Sequence, residues 1–128
     1  MSDSRIRVRK VTVGDAEAWS RVGEQEIFVS DVMDQGTVPD AEMTVGFARI
    51  DKGEALEISF PYDEVLVLTK GSYTVKTEHG ESVTARAGEV IYLPAGSSSS
   101  SRADEDTEMV YVASPPSVYA DHVAAATA

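Results

Sequence analysis

The chain has 128 residues, with 11 basic and 22 acidic side chains, a net charge of −11 and no cysteine. That length supports one domain with a real hydrophobic core, and the absence of cysteine excludes disulfides, thiolate catalysis and cysteine-based zinc sites. The acidity disfavours nucleic acid as a partner, because such a surface repels a phosphate backbone.

The opening MSDSRIRVRK is the one basic segment, with Arg5, Arg7, Arg9 and Lys10 against Asp3. Its alternation predicts an edge strand guarded by cations. It has no apolar run of signal-peptide length, and no later stretch reaches a membrane span, so a cytoplasmic protein without a membrane partner is expected. GDAEAWSRVG (14–23) predicts at most one short helical turn. QEIFVSDVM (25–33) reads as a strand. EMTVGFARI (42–50) reads as another, with Met43, Val45 and Phe47 on one face, and EALEISF (54–60) continues the pattern. Residues 64–96 then give strand, turn, strand, turn, strand, with turns at Lys70-Gly71, His79-Gly80 and Ala87-Gly88. VLVLT within this run is apolar on both faces and predicts a central strand buried on both sides. The five serines at 97–101 read as a loop. EMVYVASPP (108–116) is a last strong strand, and the Ala-rich tail 117–128 predicts a frayed helix or disorder. Short strands with turn signals every 8–12 residues, roughly, indicate a sandwich or barrel. The expectation is a single all-β domain over 1–128, with its core at about 5–116 and little helix.

Two stretches carry a family resemblance. GEALEISFPYDEVLVLTKG (53–71) and GEVIYLPAGSSS (88–99) resemble the two motifs of the cupin superfamily. Glu64 and Gly71 keep the Glu-to-Gly spacing of the first motif. Gly88, Pro94 and Gly96 match the second, with Ser99 where that motif has a histidine. The glycines and Pro-x-Gly also suit tight turns between strands. More narrowly, Gly46-Phe47, Tyr62 to Gly71, Gly88 to Ser98 and Tyr111 to Pro116 resemble the EutQ-like cupins. The resemblance implies an antiparallel β-barrel of the RmlC-like jelly-roll type, and a homodimer paired through N-terminal strands. This chain lacks the extra region that precedes the cupin domain of EutQ, which puts a microcompartment role in doubt.

Metal cupins bind iron, manganese, nickel or zinc through three histidines and one glutamate, a donor set suited to those metals. Here the His-x-His positions fall on Glu57 and Ser59, or on Ile58 and Phe60, and the last falls on Ser99. Only Glu64 remains. His79 lies in a hairpin turn and His122 in the tail, so no metal and no other cofactor is expected.

If Glu64 points inward as the family implies, Tyr62, Leu66 and Leu68 share its face. An inward glutamate in an apolar cavity has its pKa raised by desolvation, the setting of a general acid or base. Glu64 is therefore either a proton-transfer group with Tyr62 as its partner, or part of a polar network that fixes the fold. Glu57, Phe47, Leu66, Tyr92, Ser99 and Tyr111 are the candidate substrate contacts, although tyrosines also fill small barrels as packing. Trp19, with Phe28, Met33 and Met43, serves core packing, a subunit interface or a lid over one barrel mouth. The serines have no nearby histidine as base, and no glycine-rich phosphate loop is present.

Three functions follow as expectations. The first is a metal-independent isomerase, lyase or cyclase that binds a small organic molecule and works by proton transfer or conformational restriction. The second, implied by the resemblance, is an accessory protein of ethanolamine or acetate metabolism with acetate-kinase-like activity. The third is a non-catalytic small-molecule-binding module.

Overall fold

A period of two in side-chain character becomes two facing sheets when alternate residues pack inward. The computed structural model describes residues 8–17, 19–22, 24–33, 41–59 and 61–114. These form one 3-10 turn, Val13–Asp15, and ten strands. The strands are β1 (Ser20–Arg21), β2 (Ile27–Met33), β3 (Thr44–Ile50), β4 (Ala55–Ser59), β5 (Asp63–Lys70), β6 (Ser72–Thr77), β7 (Ser82–Arg86), β8 (Val90–Leu93), β9 (Ser98–Ala103) and β10 (Thr107–Ser114).

One sheet has six strands in the order β1-β2-β3-β10-β5-β8; the other has four, in the order β4-β9-β6-β7. All pairings are antiparallel, and the sequence-distant β10 lies between β3 and β5. This is the all-β jelly roll that the sequence predicts. Among the described residues no helix is long and apolar enough to cross a membrane.

Leu66, Leu68, Ile91, Met109 and Tyr111 from the larger sheet meet Tyr73, Val75, Ala85 and Ala103 from the smaller in one core. Each fully buried aliphatic side chain contributes about 1.5–3 kcal/mol. The turn before β6 needs Gly71. Its φ is +85°, and a Cβ there would run into the backbone of Asp106 and Thr107.

The structure departs from the sequence expectations in three places. Residues 8–11 lie outside any strand and Val8 is fully exposed, while 1–7 and the tail lie outside the described residues. The serine run is not a loop: Ser98 to Ser101 are part of β9, paired with β4 on one side and β6 on the other. Serine carries little strand signal of its own, so sheet pairing decides the matter. The strand containing VLVLT is next to the edge rather than central. Its Leu66 and Leu68 are buried and its Val65 and Val67 half-buried. The stretch around GDAEAWSRVG holds the one short helical turn expected there, the 3-10 turn Val13–Asp15, closed by Thr12 N–H donating to Asp15 Oδ2 at 2.6 Å and followed by the short β1.

Candidate functional site in the barrel

Strand alternation places Tyr62, Glu64, Leu66 and Leu68 on the inner face, as the sequence predicts, and Glu64 is only 1% exposed. Glu64 pairs with Leu93 of β8 on one side and with Ala113 of β10 on the other. It therefore sits at the end of the barrel where β8 turns into β9.

Three buried tyrosines surround this carboxyl group, within its electrostatic reach. Burial, then the charge of Glu64, then that of Asp31 push the Tyr62 phenol far above its ordinary pKa. Tyr73 is raised by burial against the lowering effect of its hydrogen bond to Ser101, and by Glu64. Tyr111 is raised by burial first, then by the charge of Asp31, its hydrogen bond to Asp31, and Glu64. At neutral pH all three keep their protons. Tyr111 donates to Asp31 Oδ1, and Tyr73 donates to Ser101 Oγ, which in turn donates to the Leu56 carbonyl at 3.0 Å.

Gly46 makes the Tyr111 position possible. It lies between the Tyr111 ring and the Ser30 carbonyl, and a Cβ there would overlap the phenol of Tyr111. A strand glycine commonly marks such a close approach. That was the sequence signal for this contact. Asp31 itself had none, because it is 80 positions from Tyr111 in the chain.

Ser99 faces inward from β9, 8% exposed, and its Oγ has no hydrogen-bond partner among the described residues. It helps to line a cavity of about 340 Å³ at this end of the barrel. Its lining includes the buried Val75, Leu93 and Ser99 and, at the exposed side, Glu78, His79 and Glu81.

The other candidates fall elsewhere. Phe47 lies on the outer face of β3, half-buried, opposite Val110. The inner positions of β3 are Thr44, Gly46, Ala48 and Ile50, small at its centre because the Tyr111 ring occupies that space. Glu57 is exposed on the outer face of β4, while neighbouring Leu56 packs on the core. It borders a shallow cleft of about 310 Å³ together with Lys76 and Ser100. Tyr92 is 59% exposed on the outer face, where its hydroxyl donates to Asp63 Oδ1 at 3.3 Å. It touches the cavity only at the rim. Trp19 stacks on the outside as well, with the Arg49 guanidinium 4.3 Å from its ring centre.

A sequence model described as the EutQ-like cupin domain matches residues 37–111. The chain belongs to the EutQ-like cupin family. Ethanolamine utilisation protein EutQ of Salmonella typhimurium LT2 is 27% identical over 71% of this cupin and 71% of its own chain, with a TM-score of 0.65. A protein of unknown function from Rhizobium leguminosarum bv. viciae 3841 is 28% identical over 88% of this cupin and 100% of its own chain, with a TM-score of 0.69. Ectoine synthase from P. lautus is 15% identical over 91% and 86%, with a TM-score of 0.75, a likeness of fold alone. No curated protein matches the sequence.

The metal of metal-binding cupins does not fit the residues of this one. The inward position on β9 offers a serine hydroxyl, Glu57 points outward, and the side chain of His79 is 80% exposed in its turn. Among the described residues no three His, Cys, Asp or Glu side chains gather. The groups that act together with Glu64 are phenols and the Asp31 carboxylate, a set without imidazole and poorly suited to a divalent transition metal.

Proposed function

We propose that this cupin binds a small organic molecule in its barrel and moves a proton on it through Glu64, as an isomerase, lyase or cyclase that works without a metal. The observation that supports this most directly is the buried Glu64 carboxyl group set among three phenols that keep their protons. A phenol has one hydrogen to donate; Tyr73 and Tyr111 give theirs to Ser101 and Asp31, so Tyr62 is the phenol suited to negative charge that develops on a substrate oxygen. Glu64 is the acid–base group of the set and takes or returns the proton. Tyr62, two positions earlier on the same face, orients it. For a cyclisation, confinement in the barrel adds to the rate by restricting conformers.

The likeness to the ethanolamine utilisation protein EutQ supports the competing reading, an accessory role in ethanolamine or acetate metabolism. The lining of the mouth cavity disfavours an anionic substrate, because it includes Glu78 and Glu81 and neither lysine nor arginine. A homodimer belongs to the proposal too. Phe47, Val65, Val67, Val110 and Val112 form a half-buried apolar row on the outer face of the larger sheet, extended by exposed Val90 and Tyr92.

Hydrogen exchange tests the proton-transfer reading without knowledge of the product. A small-molecule extract is incubated with the protein in D2O, and carbon-bound protons are followed by NMR. We expect at least one compound to lose a C–H signal with the native protein and to keep it with Glu64→Gln. Equal exchange with the variant removes Glu64 from the chemistry. Saturable binding with no exchange makes the protein a binding module.

A further inference from the structure

We propose, resting on Glu64 as the acid–base group, that Asp31 is the second carboxyl group of the barrel site and that the two work as base and acid on one substrate. Ile27 and Val29 of β2 pack in the core, and Asp31 is the next inward position of that strand. Asp31, Gly46, Tyr111 and Leu66 form one cross-strand row over four strands. Gly46 has no side chain, so the Tyr111 phenol spans it and donates to Asp31 Oδ1. Glu64 lies two residues from Leu66 on the same face. It is therefore a diagonal neighbour of Tyr111, at a separation within reach of an aromatic side chain. Immediately after Asp31 the pairing of β2 with β3 slips: Asp31 stands opposite Gly46, but Met33 stands opposite Val45. The extra residue makes a β-bulge, a device that re-aims a side chain beside a site.

The two carboxyl groups differ in setting. Glu64 is sealed in at 1% exposure, whereas Asp31 is half-buried and keeps contact with water. A carboxylate has about four lone-pair positions, so the bond from Tyr111 leaves Asp31 able to accept a proton. The charges of Asp31 and Glu64 both act on Tyr62 and on Tyr111. Among the described residues, Tyr62, Tyr73 and Tyr111 are the other ionisable groups that face the pair, and the inward positions of β3 and β8 carry none. Two like charges in one low-dielectric interior disfavour joint ionisation, which suits a pair of one carboxylate and one acid. In an isomerisation, ionised Asp31 takes a proton from carbon and the C–H electron pair shifts along the substrate. Tyr62 donates to the oxygen where charge develops, and protonated Glu64 gives its proton to the far end of the shifted pair. The pair holds one proton before and after. The reset returns it from Asp31 to Glu64, so no further reactant is consumed.

Carbon-13 NMR of the side-chain carboxyl groups tests the pair without a substrate. The two signals are assigned by their loss in Asp31→Asn and in Glu64→Gln, and each is titrated. We expect Asp31 to ionise first and Glu64 second. Asp31→Asn should lower the Glu64 midpoint by at least about half a pH unit, since one like charge is gone. Glu64→Gln should leave the Asp31 midpoint in place, because Glu64 still holds its proton when Asp31 ionises. Tyr111→Phe should raise the Asp31 midpoint by removing a hydrogen bond to the charged form, and it serves as the second variant where Asp31→Asn does not fold. A residue that only supports the fold would not produce this order. Glu64 ionising first, or a Glu64 midpoint unmoved by Asp31→Asn, overturns the inference. In the D2O exchange assay Asp31→Asn is expected to slow exchange by about a hundredfold or more. Undiminished exchange in Asp31→Asn with loss in Glu64→Gln keeps Glu64 and removes Asp31. The expected titrations in a protein that exchanges nothing support the coupled pair and remove the proton-transfer reading instead.

Discussion

Tyr111 reaches past Gly46 and donates its phenolic hydrogen to Asp31. The bond ties β10 to the far side of β3 and fixes one wall of the site. It depends on a missing side chain, since any Cβ at position 46 takes the place of the ring. Gly46→Ala is therefore expected to displace Tyr111 and lower stability by about 1–3 kcal/mol, the usual cost of overpacking. Thermal unfolding checks it. Combined with Tyr111→Leu, the substitution should cost much less than the sum of the two single changes, since residues in contact do not add.

The buried phenols set a limit on the alkaline side. Tyr62, Tyr73 and Tyr111 have folded pKa values above the ordinary value of 10.0. The unfolded chain ionises first as pH rises, so it holds fewer protons than the folded chain. Stability is then fully present below pH 10 and falls above it by about 1.4 kcal/mol per pH unit for each tyrosine. Urea unfolding at pH 8 to 11 should show that decline. Tyr73→Phe should reduce its slope by the share of one proton.

Ser99→Ala should raise the stability of the ligand-free protein, by up to about 1–2 kcal/mol, because a buried hydroxyl without a partner carries a desolvation penalty. A lower urea midpoint for the variant would mean that Ser99 is satisfied in solution by water or by the chain itself.

Elemental mass spectrometry on protein purified without a histidine tag or chelator should find well below one transition metal per chain. Added zinc, nickel or manganese should leave the melting temperature unchanged, since a ligand that binds only the folded state would raise it. A stoichiometric metal would require donors beyond those gathered around Glu64.

The strands rich in valine, isoleucine and leucine were legible in the sequence, and so was the inward face of β5, where Tyr62, Glu64, Leu66 and Leu68 alternate. Phase was harder. Met43, Val45 and Phe47 form a better apolar row than Thr44, Gly46 and Ala48, yet the latter face inward, because the bulk on that side comes from Tyr111 of another strand. Period fixes which residues share a face; the neighbouring strand fixes which face is inside. The same ambiguity put Glu57 in the barrel, where Leu56 is the residue that packs. Asp31 was invisible for a different reason, since its role arises from a contact between distant segments that no local pattern encodes.

Strand β9 reads Ser-Ser-Ser-Ser-Arg-Ala. In most strands a shift of one residue carries an apolar row into water, and this penalty locks the pairing. Across Ser98 to Ser101 the same shift replaces serine by serine, so neighbouring alignments with β4 and β6 differ little in energy. The alignment is decided at the two ends. One end is Ala103, fully buried, whose N–H donates to the Glu54 carbonyl and whose carbonyl accepts from Gly53 N–H. The other is the turn at Gly96, closed by Ser97 N–H to the Pro94 carbonyl. The middle of the strand is interchangeable text between two fixed marks. Which serine hydroxyls come to face the inside of the barrel is thus set by alanine and proline several residues away.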